Sequence, residues 1–168
     1  MIFQHTWERV LSGDKKQTRR IVKPGDEAVH GTIPYGDPKF MYGQTVIKGV
    51  QRNGRTLWQV GNTYAVQPAR TKKGIARIQI TGIRREDVRE IHHLDAVAEA
   101  IDRVAPKHHF LKTWCRMHDK TAAEIFSVAT RNDPDPLERP NHCPQFLWDR
   151  PAELYQAWVL EFKLVEEN

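Results

Sequence analysis

The apolar periodicity of the chain changes at Arg84-Arg85, and that change restricts the fold more than any other feature. Before it, Ile75-Ala76-Arg77-Ile78-Gln79-Ile80-Thr81-Gly82-Ile83 repeats with period two, the pattern of a half-buried strand. Beyond it, Val88, Ile91, Leu94, Ala98 and Ile101 recur every three or four residues and fall on one helical face. Residues 86–104 are therefore expected to be largely helical, with further helices near Phe110–Cys115 and over 121–130. Trp7, Val10 and Leu11 predict a short first helix that ends before Gly13.

Strands are expected on both sides of these helices. Residues 24–61 are rich in Gly and Pro and read as loops and short hairpin strands, Thr45–Ile47 and Thr56–Val60, around an Asn53-Gly54 turn. Asn62–Gln67 alternates again, and the β-branched, aromatic run Ala157–Val165 closes the chain as a strand. Five prolines between 134 and 151 exclude a continuous helix there and predict an ordered loop or lid. Mixed element order with short strands argues for an α+β domain on a mostly antiparallel sheet or small barrel. No G-x-G-x-x-G and no G-x-x-x-x-G-K-[ST] occurs, so dinucleotide and P-loop sites are unsupported.

No apolar stretch approaches the roughly 20 residues of a membrane span, and the opening Met-Ile-Phe-Gln-His-Thr-Trp lacks a signal-peptide pattern. Two cysteines are too few for a disulfide framework. A cytoplasmic protein with no membrane partner is the expectation. The net charge of +5 conceals an asymmetry: residues 1–89 hold 17 Lys and Arg against 7 Asp and Glu, and residues 90–168 hold 9 against 14. A basic half attracts polyanions, so nucleic acid or a nucleotide is a reasonable partner class, although the same charge also serves solubility. Arg70, Lys72, Lys73, Arg77, Arg84, Arg85 and Arg89 form the candidate cationic rim, with Tyr42, Trp58 and Tyr64 as candidate stacking faces or core aromatics.

The densest chemical cluster is Gly13-Asp14-Lys15-Lys16-Gln17-Thr18-Arg19-Arg20. A hydroxyl nucleophile needs a base within hydrogen-bond reach, and a neutral lysine three residues from a threonine meets that need. An ordinary lysine is neutral in only about one molecule in 2,500 at pH 7, so burial or neighbouring positive charge from Lys16, Arg19 and Arg20 must lower its pKa. On spacing alone the same residues also describe a solvated basic turn. A rival cluster, Cys115-x-x-His118 with His142-Cys143, has zinc-ligand types at unfavourable spacing, and buried cysteines are the alternative.

The run Leu11–Arg20, the later Val60–Gln67, Ile78–Asp87 and the closing Trp158–Phe162 together resemble the ASCH domain family. The resemblance implies one PUA-like domain over residues 1–168, a small mixed or antiparallel β-barrel flanked by helices, with insertions near 24–58 and 105–152. It also implies either an RNA-binding module or an amidohydrolase that deacylates N(4)-acetylcytidine, without a metal or other cofactor. The hydrolase pattern G-x-K-x-x-T-x-R falls on Gly13, Lys15, Thr18 and Arg20, and its helical Glu on Glu99. The resemblance thus assigns Thr18 as nucleophile, Lys15 as base and Glu99 as the group that orients the lysine or protonates the leaving amine. Arg20, Arg19 and Tyr64 form the expected substrate-binding set, for a modified nucleoside or nucleobase.

Overall fold

The computed structural model describes residues 1–3, 6–32, 45–99, 105–132 and 143–165. By its internal contacts the chain divides into two compact units, Met1–Arg85 with Trp158–Asn168, and Glu86–Ala157.

The first unit begins with α1 (Trp7–Leu11), followed by β1 (Gln17–Ile21), β2 (Asp26–Thr32), β3 (Thr45–Arg52), β4 (Arg55–Gln59), β5 (Thr63–Val66) and the start of β6 (Ala76–Asp87). Most of β7 (Gln156–Val165) completes it. The class is α+β, as the mixed periodicities imply. The described strands do not close into one barrel: they form a four-stranded sheet in the order β1-β7-β6-β5 and a three-stranded sheet in the order β2-β3-β4. β2 with β3, β3 with β4 and β5 with β6 pair antiparallel.

The β3–β4 connection is the expected hairpin, with Asn53 at φ 51° and Gly54 at φ 75°. Two successive positive φ values match the right-handed strand twist, and only Asn and Gly adopt them cheaply. On β6, Ile78, Ile80 and Ile83 are buried, so the alternation slips by one residue at Thr81-Gly82. Gly82 lies at that slip, and a Cβ there would stand 2.8 Å from Glu161 Oε2 on β7, so the Glu161 carboxylate would have to move aside. Ile80, Ile83, Trp158 and Leu160 pack with Val50 of β3, joining the inner faces of the two sheets in one apolar cluster. A second cluster places Phe3 and Val10 against Val66, Ile78 and Phe162. Each fully buried aliphatic side chain of this kind contributes about 1.5–3 kcal/mol.

The second unit holds a 3-10 turn (Val88–Glu90), α2 (His93–Ala98), α3 (Pro106–His118), α4 (Lys120–Asn132) and two further 3-10 turns, Gln145–Leu147 and Ala152–Leu154. Of the helix expected over 86–104, the described residues form only α2, because β6 runs on to Asp87 and Val88–Glu90 is a 3-10 turn; residues 100–104 lie outside the described residues. Val88 and Ile91 are buried, yet they belong to a single 3-10 turn and its end. Spacing by three does not distinguish that turn from an α-helix. Within the Pro-rich segment, residues 143–155 are ordered turns, and 134–142 lie outside the described residues.

Candidate functional site

The end of α1 determines where the Lys15 backbone lies. Ser12 N donates to Glu8 O at 2.9 Å, Gly13 takes the left-handed φ of 77°, and Lys15 N returns to Arg9 O at 2.8 Å. Glycine adopts this helix-ending conformation without a Cβ penalty. Ser12 Oγ also donates to Asp14 Oδ2 at 2.8 Å, which stiffens the turn. The chain then enters β1, whose neighbour is β7; Phe162 N donates to Lys16 O at 2.9 Å.

A solvated turn is one expectation for this cluster, and the structure departs from it. Gly13, Asp14 and Lys16 are exposed, but Lys15 is 5% exposed, Gln17 4%, Thr18 6% and Arg19 6%. These are costly groups to bury, and no buried side-chain nitrogen or oxygen among the described residues lacks a hydrogen-bond partner. Strand alternation places Thr18 and Arg20 on one face of β1 and Gln17 and Arg19 on the other. Arg20 is half-buried: its Nη2 donates to Ile2 O at 2.8 Å, and its guanidinium carbon lies 5.8 Å from the Phe3 ring centroid.

Glu99 follows the last residue of α2 in the second unit and is 6% exposed, so it is not a surface carboxylate. Lys15, Thr18, Arg19 and Arg20 belong to the first unit. Tyr64, on β5 opposite Ile78, packs its ring against both apolar clusters, and its hydroxyl accepts from Gln59 N at 2.9 Å. Trp58 likewise packs on the core, while Tyr42 lies outside the described residues.

The expected cationic rim separates into three kinds of side chain. Arg70, Lys72, Lys73 and Arg77 are exposed, with Arg77 Nη2 donating to Thr63 Oγ1 at 2.7 Å. Arg84 pairs with Glu161, and Arg85 lies 6.0 Å from the Trp158 ring. Arg89 departs from the rim altogether: it belongs to the second unit, is buried, and grips Asp87 through Nε at 2.9 Å and Nη2 at 2.5 Å. Trp148 and Tyr155 flank the Arg89 guanidinium at 4.6 and 5.0 Å.

Cys115, His118 and Cys143 have separate surroundings. The Cys115 thiol meets the Tyr155 hydroxyl at 3.8 Å, the His118 ring lies 4.5 Å from Trp114, and Cys143 Sγ faces Pro144 O at 3.8 Å. His142 lies outside the described residues. Among the described residues no three His, Cys, Asp or Glu side chains gather in a metal-holding arrangement. Burial pushes the Cys115 and Cys143 thiols up to about 11. His92 caps α2 by accepting from Leu94 N at 3.4 Å, and His108 stands edge-on to Phe126 at 5.2 Å.

Sequence reasoning missed a buried carboxylate, Asp119. It accepts from Arg150 Nε at 2.9 Å, Arg150 Nη2 at 3.0 Å, the Tyr155 hydroxyl at 2.9 Å and Ala122 N at 3.1 Å. Its place immediately before the apolar periodicity of α4 was the available signal, since Asp there is a common helix cap. Nothing in the sequence marks Gln17 as buried. No helix among the described residues is long and apolar enough to cross a membrane.

No family model and no curated protein matches the chain. Among solved structures, the chain is similar to the high-resolution crystal structure of an ASCH domain from Lactobacillus crispatus JV V101. The identity is 16%, 94% of this chain and 69% of that chain are covered, and the TM-score is 0.44.

Proposed function

We propose that the chain is an ASCH-type amide hydrolase that removes the acyl group from N(4)-acylated cytosine nucleosides, with Thr18, Lys15 and Glu99 as its catalytic residues. The observation that carries this reading is the burial of Lys15 and Thr18, three residues apart, inside a segment whose composition favours solvent. Desolvation disfavours the ammonium form, and that is the physical route by which a lysine becomes a base at neutral pH. The motif residues Gly13, Lys15, Thr18 and Arg20 and the buried Glu99 supply the pattern that the family resemblance implies.

In this reading Thr18 Oγ attacks the exocyclic amide carbon, and its proton passes to Lys15 Nζ. Collapse of the tetrahedral intermediate breaks the bond to N4, and the 4-amino group leaves with a proton, delivered by Lys15 or Glu99. Water then hydrolyses the acyl-threonine ester, releasing the carboxylic acid and restoring the hydroxyl. Arg19 and Tyr64 belong to the substrate-binding set of this proposal.

The test is chromatography of N(4)-acetylcytidine incubated with the parent chain, Lys15→Ala and Thr18→Ala. Cytidine released by the parent and reduced at least about 100-fold in both variants upholds the assignment. Equal release by all three removes Thr18 as nucleophile.

The exposed Arg70, Lys72, Lys73 and Arg77 support a second reading, a non-catalytic RNA-binding module. Such a module binds an oligonucleotide with an affinity that falls steeply with salt. Titration of single-stranded RNA at two salt concentrations, with no turnover of the nucleoside, would favour it over hydrolysis.

A further inference from the structure

Arg20 shares a strand face with Thr18, and two of its contacts reach the first residues of the chain. One guanidinium N–H is directed at Ile2 O, and the group also lies over Phe3. Those residues are fixed on their other side as well. Ile2 forms a parallel bridge with Gln67, Phe3 N donates to Gln67 O at 2.9 Å, and Gln67 N donates to Met1 O at 2.8 Å. Phe3 is 4% exposed and meets Phe162 of β7 edge-on at 5.6 Å. The short N-terminal segment is thus held between the end of β5 and the Arg20 side chain.

We propose that Arg20 is a positioning residue, which clamps Ile2 and Phe3 over the β1 face that carries Thr18 and keeps that face dry, rather than a group that touches substrate. The inference rests on the hydrolase reading above. Thr18 and Arg20 stand two residues apart, about 6.6 Å along the strand, so the clamp is built on the face that carries the threonine. A dry wall matters for a hydroxyl nucleophile because bulk water screens the lysine that activates it. A substrate-binding arginine would contribute to KM, whereas a clamp on the nucleophile's surroundings contributes to kcat.

The experiment measures kcat and KM for N(4)-acetylcytidine in the parent, Arg20→Lys, Arg20→Met, Phe3→Leu and the Arg20→Met/Phe3→Leu pair. Amide hydrogen exchange at Phe3 and Gln67 is followed in each. The clamp predicts a kcat about tenfold lower in Arg20→Met, KM within twofold of the parent, and partial rescue by Arg20→Lys. It also predicts faster exchange at Phe3 and Gln67, and a double variant no worse than the poorer single one, because coupled residues are non-additive. A KM raised tenfold or more with exchange unchanged would overturn the clamp and return Arg20 to the substrate. Absence of turnover in the parent overturns the hydrolase reading and the kinetic role of Arg20 together. In that case faster exchange in Arg20→Met still identifies the clamp as structural, and unchanged exchange removes it too.

Discussion

The Tyr155 hydroxyl donates to Asp119 Oδ2 at 2.9 Å, and Arg150 reaches the same carboxylate with two N–H groups. One buried carboxylate thereby ties the start of α4 to the segment that leads into β7. Asp119→Ala is expected to destabilise the protein by about 3 kcal/mol, because Arg150 and Tyr155 lose a shared partner. Urea unfolding followed by circular dichroism checks it.

The same carboxylate makes stability depend on pH. Arg150, more than any other partner, holds the Asp119 carboxyl below its ordinary value, with the Ala122 N–H and the Tyr155 hydroxyl adding to it against burial. A depressed folded-state pKa means that the contribution is fully present above the unfolded value of about 3.9 and is lost as pH falls through the lower folded value. Thermal unfolding between pH 6 and 2 should show this loss in the parent, and a shallower acid limb in Asp119→Asn.

Trp158 Nε1 donates to Asp26 Oδ2 at 3.1 Å, while Lys23 N and Arg52 Nε occupy the same carboxylate at 2.9 and 2.6 Å. Burial pushes the Asp26 carboxyl up, and these three donors outweigh it, so the group lies below its ordinary value. Trp158→Phe keeps the ring in the core and removes one donor. A loss of about 2 kcal/mol at pH 7 is expected for a hydrogen bond to a charged group, with the Asp26 titration moving upward by NMR.

The cysteines should be inert in the folded protein. With Cys115 and Cys143 thiols pushed up to about 11 by burial, the thiolate population at pH 7 is minute. A thiol reagent at pH 7.5 should label neither in native buffer and both in denaturant. Rapid native labelling of either would refute this burial.

Arg89 is expected to tolerate lysine poorly. Its planar fork satisfies Asp87 twice, reaches Leu147 O at 3.2 Å and lies between two aromatic rings. A lysine ammonium reproduces the charge but neither the fork nor the stacking. Arg89→Lys should cost about 2 kcal/mol, read as a lower urea midpoint with the slope unchanged.

The strands of strongest alternation, β5, β6 and β7, were legible in the sequence, as were α1, α4 and the Asn53-Gly54 hairpin turn. Local signals carried each of them: period, branching, and a dipeptide that accepts positive φ. β1 was not legible. Gln17-Thr18-Arg19-Arg20 is polar throughout, and a polar strand covered on both faces has no period to read. Arg89 was misplaced for a related reason, since a guanidinium on the surface and one stacked between Trp148 and Tyr155 are identical in sequence.

The sequence by itself determined the α+β class and the order of most elements, because propensity and spacing are local properties; Lys15, Thr18 and Glu99 were brought together only by the family resemblance. Only the tertiary structure decided that Lys15, Thr18 and Arg19 are buried, that Arg20 reaches Ile2, and that Asp119 gathers Arg150 and Tyr155. Burial and long-range pairing depend on which distant segments cover a residue. A polar side chain carries no mark of that cover, and its desolvation and partners arise only when the chain is folded.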